Sequence, residues 1–254
     1  MVIPNEFDEI CYRRNFLTEV IVRIDFVSPV KNIANDLPKN LSKSILKYFP
    51  IDEPKSAFMQ EFIVAPTELH TRKQEFTEWN FFGRNREKRF VITQNFFFIG
   101  YQKYENYEGL RNEFLEIAGE FFKTFDQAQP SRLGLRYINE IKLNKGDPIE
   151  WSEYISSELL GLFSYSVEGA ESNRIFHNIE FIIDDFSLRF QFGIHNPDYP
   201  APIRQKIFVL DYDAYFKGPI ETPDIPRLLD KYHKGIQNIF ESNITGKLKG
   251  LMNE

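Results

Sequence analysis

Hydrophobic and polar positions alternate over residues 17–27: Val20, Val22, Ile24 and Phe26 share one side, and Glu19, Arg23 and Asp25 the other. A period of two predicts a half-buried strand. After Asn35 and Asp36, Leu41, Ile45, Leu46 and Phe49 recur at helical spacing up to Pro50, which predicts a short helix. Strand-like runs follow near 57–66, 76–83, 89–94 and 96–102. Over 107–126 the period becomes helical, with Tyr107, Leu110, Phe114, Ile117, Ala118, Phe121 and Phe125 in one stripe, and Pro130 closes the unit.

The second half repeats this order. Residues 132–143 alternate as a strand, 151–160 suit a short helix, and strand-like runs follow near 162–168, 174–184, 187–195 and 204–215. Asp184-Asp185 between two apolar runs signals a hairpin. Asp224 reads as the N-cap of a last long helix with the stripe Leu228, Leu229, Tyr232, Ile236, Ile239, Phe240 and Ile244. Residues 1–130 and 131–254 are thus each expected to form strand, short helix, four antiparallel strands and long helix, as two units or one continuous domain. The order resembles the TATA-binding-protein-like, or helix-grip, topology, which implies an α+β fold with antiparallel sheet packed on a long helix in each half. One undivided α+β sheet is the alternative.

Composition narrows the class. The 254 residues include 26 Phe, 12 Tyr and 2 Trp, enough for a large core, since each buried aromatic removes roughly 150–250 Å² from water. No window approaches the roughly 18–20 apolar residues of a membrane span, and Glu6, Asp8 and Glu9 stand where a signal peptide needs an apolar stretch. A cytoplasmic protein without membrane attachment is expected. A single cysteine, Cys11, excludes an internal disulfide and a Cys-x-x-Cys site. With 31 basic against 37 acidic residues, the net charge of −6 disfavours nucleic acid, whose binding rests on neutralising phosphates.

Three stretches carry candidate chemistry. In the strand at 132–143, Leu133, Leu135, Tyr137, Asn139 and Ile141 share one face, with Arg132, Arg136, Ile138 and Glu140 opposite. A buried Asn139 amide must be hydrogen-bonded, either to a neighbouring backbone or to a ligand. In Leu210-Asp211-Tyr212-Asp213, two carboxylates point the same way and are expected to be neutralised by Arg136 or Arg189 on adjoining strands, or to serve as metal ligands. Arg84, Arg86, Lys88 and Arg89 form the dense basic run, interleaved with Phe81, Phe82, Phe90 and Phe96. Of the four histidines, His70, His177, His195 and His233, none shares a metal-ligand spacing, and His233 on the last helix is the candidate base. No nucleophile elbow, phosphate loop or dinucleotide fingerprint occurs, and neither a cofactor nor a metal is expected.

The strand Leu17-x-Glu19-Val20, the stretch Gly134-Leu-Arg-Tyr-Ile-Asn139, the Leu210-Asp-x-Asp213 strand and the last helix with His233 and Phe240 together resemble a sporadically distributed prokaryotic family of uncharacterised proteins of about this length. That resemblance implies the patchy inheritance of mobile or defence-associated genes. The first expectation is therefore a non-catalytic interaction protein acting with a genetically linked protein partner, in a defence or toxin–antitoxin-like setting. Its docking surface would carry Arg23, Asp25, Arg136, Asn139, Glu140 and Arg189, beside Asp211 and Asp213. Alternatives are a metal-dependent nuclease or hydrolase using Asp211, Asp213, Glu140 and His233, a nucleic-acid or nucleotide-binding module using Arg84 and Arg86, and small-ligand binding in a cavity beneath a long helix.

Overall fold

The computed structural model describes residues 10–64 and 69–254, and of 57–64 and 69–75 the backbone alone. The chain is α+β. Its strands are β1 (Leu17–Phe26), β2 (Ile51–Asp52), β3 (Lys55–Val64), β4 (Leu69–Phe82), β5 (Lys88–Ile92), β6 (Phe96–Tyr101), β7 (Pro130–Leu143), β8 (Ile175–Ile183), β9 (Phe186–Ile194) and β10 (Lys206–Lys217). The helices are α1 (Lys39–Tyr48), α2 (Tyr107–Thr124), α3 (Ile225–Asn243) and α4 (Gly246–Asn253).

All ten strands join one antiparallel sheet in the order β2-β4-β5-β6-β1-β7-β10-β9-β8, with β3 also paired to β4. The sheet continues unbroken from the first half of the chain into the second, because β1 pairs with β6 on one side and β7 on the other. In the middle of the seam Val22 lies opposite Leu135 and Arg23 opposite Gly134. β10 then runs along β7 for twelve residue pairs, from Lys206↔Leu143 to Lys217↔Arg132.

Strand alternation sorts the sheet into two unlike faces. One face carries Val20, Val22, Ile24, Phe97, Leu135, Tyr137, Leu210 and Tyr212 into a single core with the apolar stripes of α1, α2 and α3. Phe97 is the hub of its aromatic part, touching Phe26, Phe90, Phe114, Phe121 and Phe122. The opposite face presents charged residues, among them Arg23, Asp25, Arg132, Arg136, Asp211 and Asp213.

Several expectations change. The segment 151–160 is a set of turns ending in a short 3-10 helix (Ser157–Leu159), with Trp151 and Ile155 as its buried anchors. Residues 162–168 form no strand: turn bonds such as Phe163 N–H to Leu160 O fold the segment back, and Leu162, Tyr165 and Val167 are exposed. Three strands, not four, therefore follow β7 before α3. Asp224 makes no side-chain cap, because its backbone (φ −82°, ψ −15°) already lies in the helical region; its carboxylate accepts instead from Arg227. The Asp184-Asp185 hairpin is present, with Asp184 at φ 50°, a left-handed conformation that Asp tolerates. Residues 65 and 66 of the first strand-like run and the acidic stretch Glu6–Glu9 lie outside the described residues, as does the His70 side chain. Among the described residues no helix is long and apolar enough to cross a membrane.

Candidate functional site

The charged face gathers residues that the sequence scatters over 190 positions. On β1, Arg23 and Asp25 stand beside Arg132 and Arg136 of β7; on β10, Asp211 and Asp213 stand beside Arg189 of β9. Each is placed by the same rule: the buried apolar residue before or after it turns inward, so it turns outward.

Ion pairs run across four strands. Arg23 Nη2 lies 2.6 Å from Asp25 Oδ1, Arg132 Nη1 3.8 Å from Asp25 Oδ2, and Arg132 Nη2 3.3 Å from Asp213 Oδ1. Arg189 Nη2 approaches the other Asp213 oxygen at 2.7 Å, and Arg136 grips Asp211 with Nη2 at 2.5 Å. The aspartate side chains at 211 and 213 are only 8% and 7% exposed, so they depend on these partners for solvation. Hydrogen bonds to Asp211 hold the Arg136 guanidinium charged, its pKa raised above the ordinary arginine value against the opposing effect of burial.

Between these ladders lies a depression of about 410 Å³, lined by Arg23, Arg89, Arg132, Arg136 and Arg189, with Asp25, Asp213 and Phe98. Five arginines face two aspartates in a chain whose net charge is −6. No lysine lines it. That matters because guanidinium groups, with five N–H donors in a planar fork, bind carboxylate and phosphate oxygens in pairs, whereas lysine acts as a point charge. The donors are not exhausted by the ladder. Among the described residues, Nη1 of Arg23, Arg89, Arg136 and Arg189 makes no hydrogen bond, and Arg89 Nε is buried without a partner. Phenylalanine rings support two of the guanidiniums from beneath: Arg23 lies 4.0 Å from the Phe96 ring centre and Arg89 5.1 Å from that of Phe98.

The floor is shaped by Gly134. A Cβ at this position would meet the Arg132 guanidinium at 2.6 Å, so glycine lets Arg132 lie flat across β7 towards Asp213.

The structure brings Arg23, Asp25, Arg136 and Arg189 together as expected residues of one surface, with Arg132 on the same face of β7, and joins Arg89 of the basic run to them. Glu140 shares the face but pairs with Lys142 at 2.7 Å. Asn139 does not belong here: it faces the core side, 4% exposed, its Nδ2 3.4 Å from Leu210 O. The basic run also divides, because strand alternation sends neighbours to opposite faces. Lys88 turns to Glu113 of α2 (2.7 Å), Arg89 to Glu19 (3.0 Å), Arg86 pairs with Glu53, and Arg84 is exposed at the turn.

The four residues of the hydrolase alternative do not converge. His233 lies on α3, on the core side, where its Nδ1 is 2.9 Å from Tyr137 Oη. Asp211, Asp213 and Glu140 point from the other face of the same sheet, with the strand layer between. Among the described residues no group of three or more His, Cys, Asp or Glu side chains is arranged to hold a metal ion.

A second concavity, about 650 Å³, lies on the core side between the N-terminal turn of α2, α3, the segment from Ile10 to Leu17, and Tyr137 and Asn139 of β7. Tyr104, Tyr107, Tyr137 and His233 form its wall. The Tyr107 and His233 rings stack at 3.8 Å and 4°. Tyr107 donates to Asp230 at 2.6 Å, and Arg111 holds the same carboxylate with two hydrogen bonds. Burial lowers the His233 pKa from 6.5 to about 4, outweighing nearby Asp230, so the ring is neutral at physiological pH.

Compared with protein-family models and with curated proteins, the chain gives no match.

Proposed function

We propose that this chain is a non-catalytic interaction protein that docks an acidic segment of a protein partner on the open face of its sheet, at the arginine-lined depression. The observation that carries this is the reserve of unspent guanidinium N–H groups: five arginines converge, and their mutual carboxylates occupy only part of their donors, leaving Nη1 of Arg23, Arg89, Arg136 and Arg189 without a hydrogen bond among the described residues. A charge-assisted hydrogen bond from such a group to an incoming carboxylate is about twice as strong as a neutral one.

A protein partner fits better than a nucleic acid. Asp25, Asp211, Asp213 and Glu19 are interleaved with the arginines, so a continuous phosphate backbone laid across the face would also meet carboxylates. An acidic side chain or two, spaced to enter the depression, avoids them. The mobile or defence-associated setting implied by the family resemblance makes a neighbouring gene product in the cytoplasm the partner to test first.

The two-half organisation belongs to the same proposal. Outward from the β1–β7 seam the strands read β1-β6-β5-β4 on one side and β7-β10-β9-β8 on the other, each half pairing its first strand with its last. That order supports descent from a duplicated unit, with the depression built across the join.

Co-expression with the product of the adjacent gene, followed by native mass spectrometry, tests the reading. A complex of defined stoichiometry that dissociates as salt is raised supports it. A chain that stays alone with its neighbour's product, or that binds single-stranded oligonucleotides through the same arginines, replaces it.

A further inference from the structure

The cavity on the core side has the opposite chemistry to the arginine depression, and nothing in the docking reading uses it. Its tyrosine hydroxyls are spent on one another and on the protein. Tyr12 donates to Glu241 at 2.7 Å, Tyr107 to Asp230, and Tyr104 and Tyr137 share a contact of 3.3 Å. What remains towards the cavity is aromatic surface together with uncharged polar groups: Asn15, Asn106, Asn112 and Gln237, and, on β7 and α3, Asn139 and His233. Asn139 is almost fully buried, and its Oδ1 accepts no hydrogen bond among the described residues. His233 commits Nδ1 to Tyr137 and so has only Nε2 left.

Charge selects further. Glu105, Glu108, Asp230 and Glu241 line the cavity against Arg111 and Lys234, and Arg111 is committed to Asp230. An anionic ligand would enter an excess of negative charge, offset by the one remaining Nη1 of a single guanidinium, Arg111, against five arginines on the other face. A cation would gain little from Asp230 and Glu241, which are already engaged by Arg111 and Tyr107 and by Tyr12 and Lys249. An amide oxygen and an imidazole nitrogen lining one cavity suit a flat ring that carries both a donor and an acceptor. Aromatic walls suit its faces, and a volume of 650 Å³ is in the range of small-molecule sites.

We infer that this cavity is a binding site for an uncharged planar heterocycle of the nucleobase or nucleoside class, with Asn139 and His233 reading its edge and the tyrosine cluster its faces. The site is independent of the arginine depression, on the other side of the sheet.

Isothermal titration of the full chain with adenosine, guanosine, cytidine and uridine, and with their 5′-monophosphates, tests it. One nucleoside is expected to bind saturably, and its monophosphate more weakly by about tenfold or more, which is about 1.4 kcal/mol or more. Gln237→Trp, at the half-buried rim, fills the cavity from outside the core and should weaken binding by a similar factor with the far-ultraviolet circular dichroism unchanged. Asn139→Leu should abolish the preference among bases. The inference is overturned if none of the four nucleosides gives saturable heat at millimolar concentration, if the phosphate strengthens binding, or if folded Gln237→Trp binds as the wild type does.

Discussion

Arg136 on β7 clasps Asp211 on β10 through two hydrogen bonds, Nε to Oδ1 at 2.8 Å and Nη2 to Oδ2 at 2.5 Å. The pair ties the two longest-paired strands of the sheet and holds one arginine of the depression in a fixed orientation. Removing the arginine strands a carboxylate that is 8% exposed. Arg136→Ala should therefore cost about 2–3 kcal/mol in urea unfolding, at or just below the roughly 3–5 kcal/mol for breaking a fully buried pair, because the guanidinium itself is about one-third exposed. Arg136→Ala combined with Asp211→Ala should cost less than the two single changes added together, since the second removes the stranded charge.

A pH dependence follows from His233. Its folded pKa is depressed to about 4 from 6.5, so below pH 6.5 the unfolded chain takes up a proton that the folded chain does not. Stability from this group is complete above about pH 6.5, falls as the pH drops towards 4, and changes no further below that. The wild type should lose about 2–3 kcal/mol more than His233→Phe between pH 7 and pH 4, measured by chemical unfolding. Equal slopes for the two proteins would remove the neutral buried imidazole from the account.

Two glycines separate structural from functional constraint. At Gly193 (φ 153°), a Cβ would lie 2.1 Å from Ile175 O, a backbone atom that cannot move aside without parting β8 from β9. Gly193→Ala should destabilise by more than about 2 kcal/mol and speed hydrogen exchange in β8. At Gly134 the obstructed atoms belong to the flexible end of Arg132. Gly134→Ala should cost only about 1 kcal/mol, because Arg132 swings away from Asp213. It should still weaken partner binding, and a variant that leaves binding intact would show that Arg132 does not shape the docking surface.

Phe97 anchors the core beneath the seam, fully buried among five other phenylalanines. Phe97→Ala should cost about 3–5 kcal/mol, with the melting temperature as readout. The exposed Ile182, on the end strand β8, should tolerate Lys within about 0.5 kcal/mol.

Much of this fold is legible in the sequence because its strands obey a strict period of two. The same alternation that buries Val22 and Ile24 sends Arg23 and Asp25 to the open face, so Arg23, Asp25, Arg136 and Arg189 are identifiable as one surface before the structure is known. Arg132 follows from the same alternation, on the face of Arg136, but the placing of Arg89 does not, since it depends on register: Arg89 reaches Glu19 two strands away. Asn139 and His233 fall in the other site for the same reason, as the inward-facing members of their elements. The turns at 151–168 mislead because Phe163, Tyr165 and Val167 alternate without any strand beside them to bond. The helix α4 has a short signal, Thr245 accepting from Leu248 N–H with Leu248 and Met252 buried, easily overlooked after the longer stripe of α3.

The docking claim is tested most directly by the affinity of the chain for its neighbour's gene product, compared between the wild type and an Arg89→Ala, Arg189→Ala double variant. Both arginines are more than 40% exposed, so the fold should survive their loss. The account predicts that the double variant binds about tenfold or more weakly and shows a flatter dependence of affinity on salt. Equal affinity and equal salt dependence in the two proteins would contradict it.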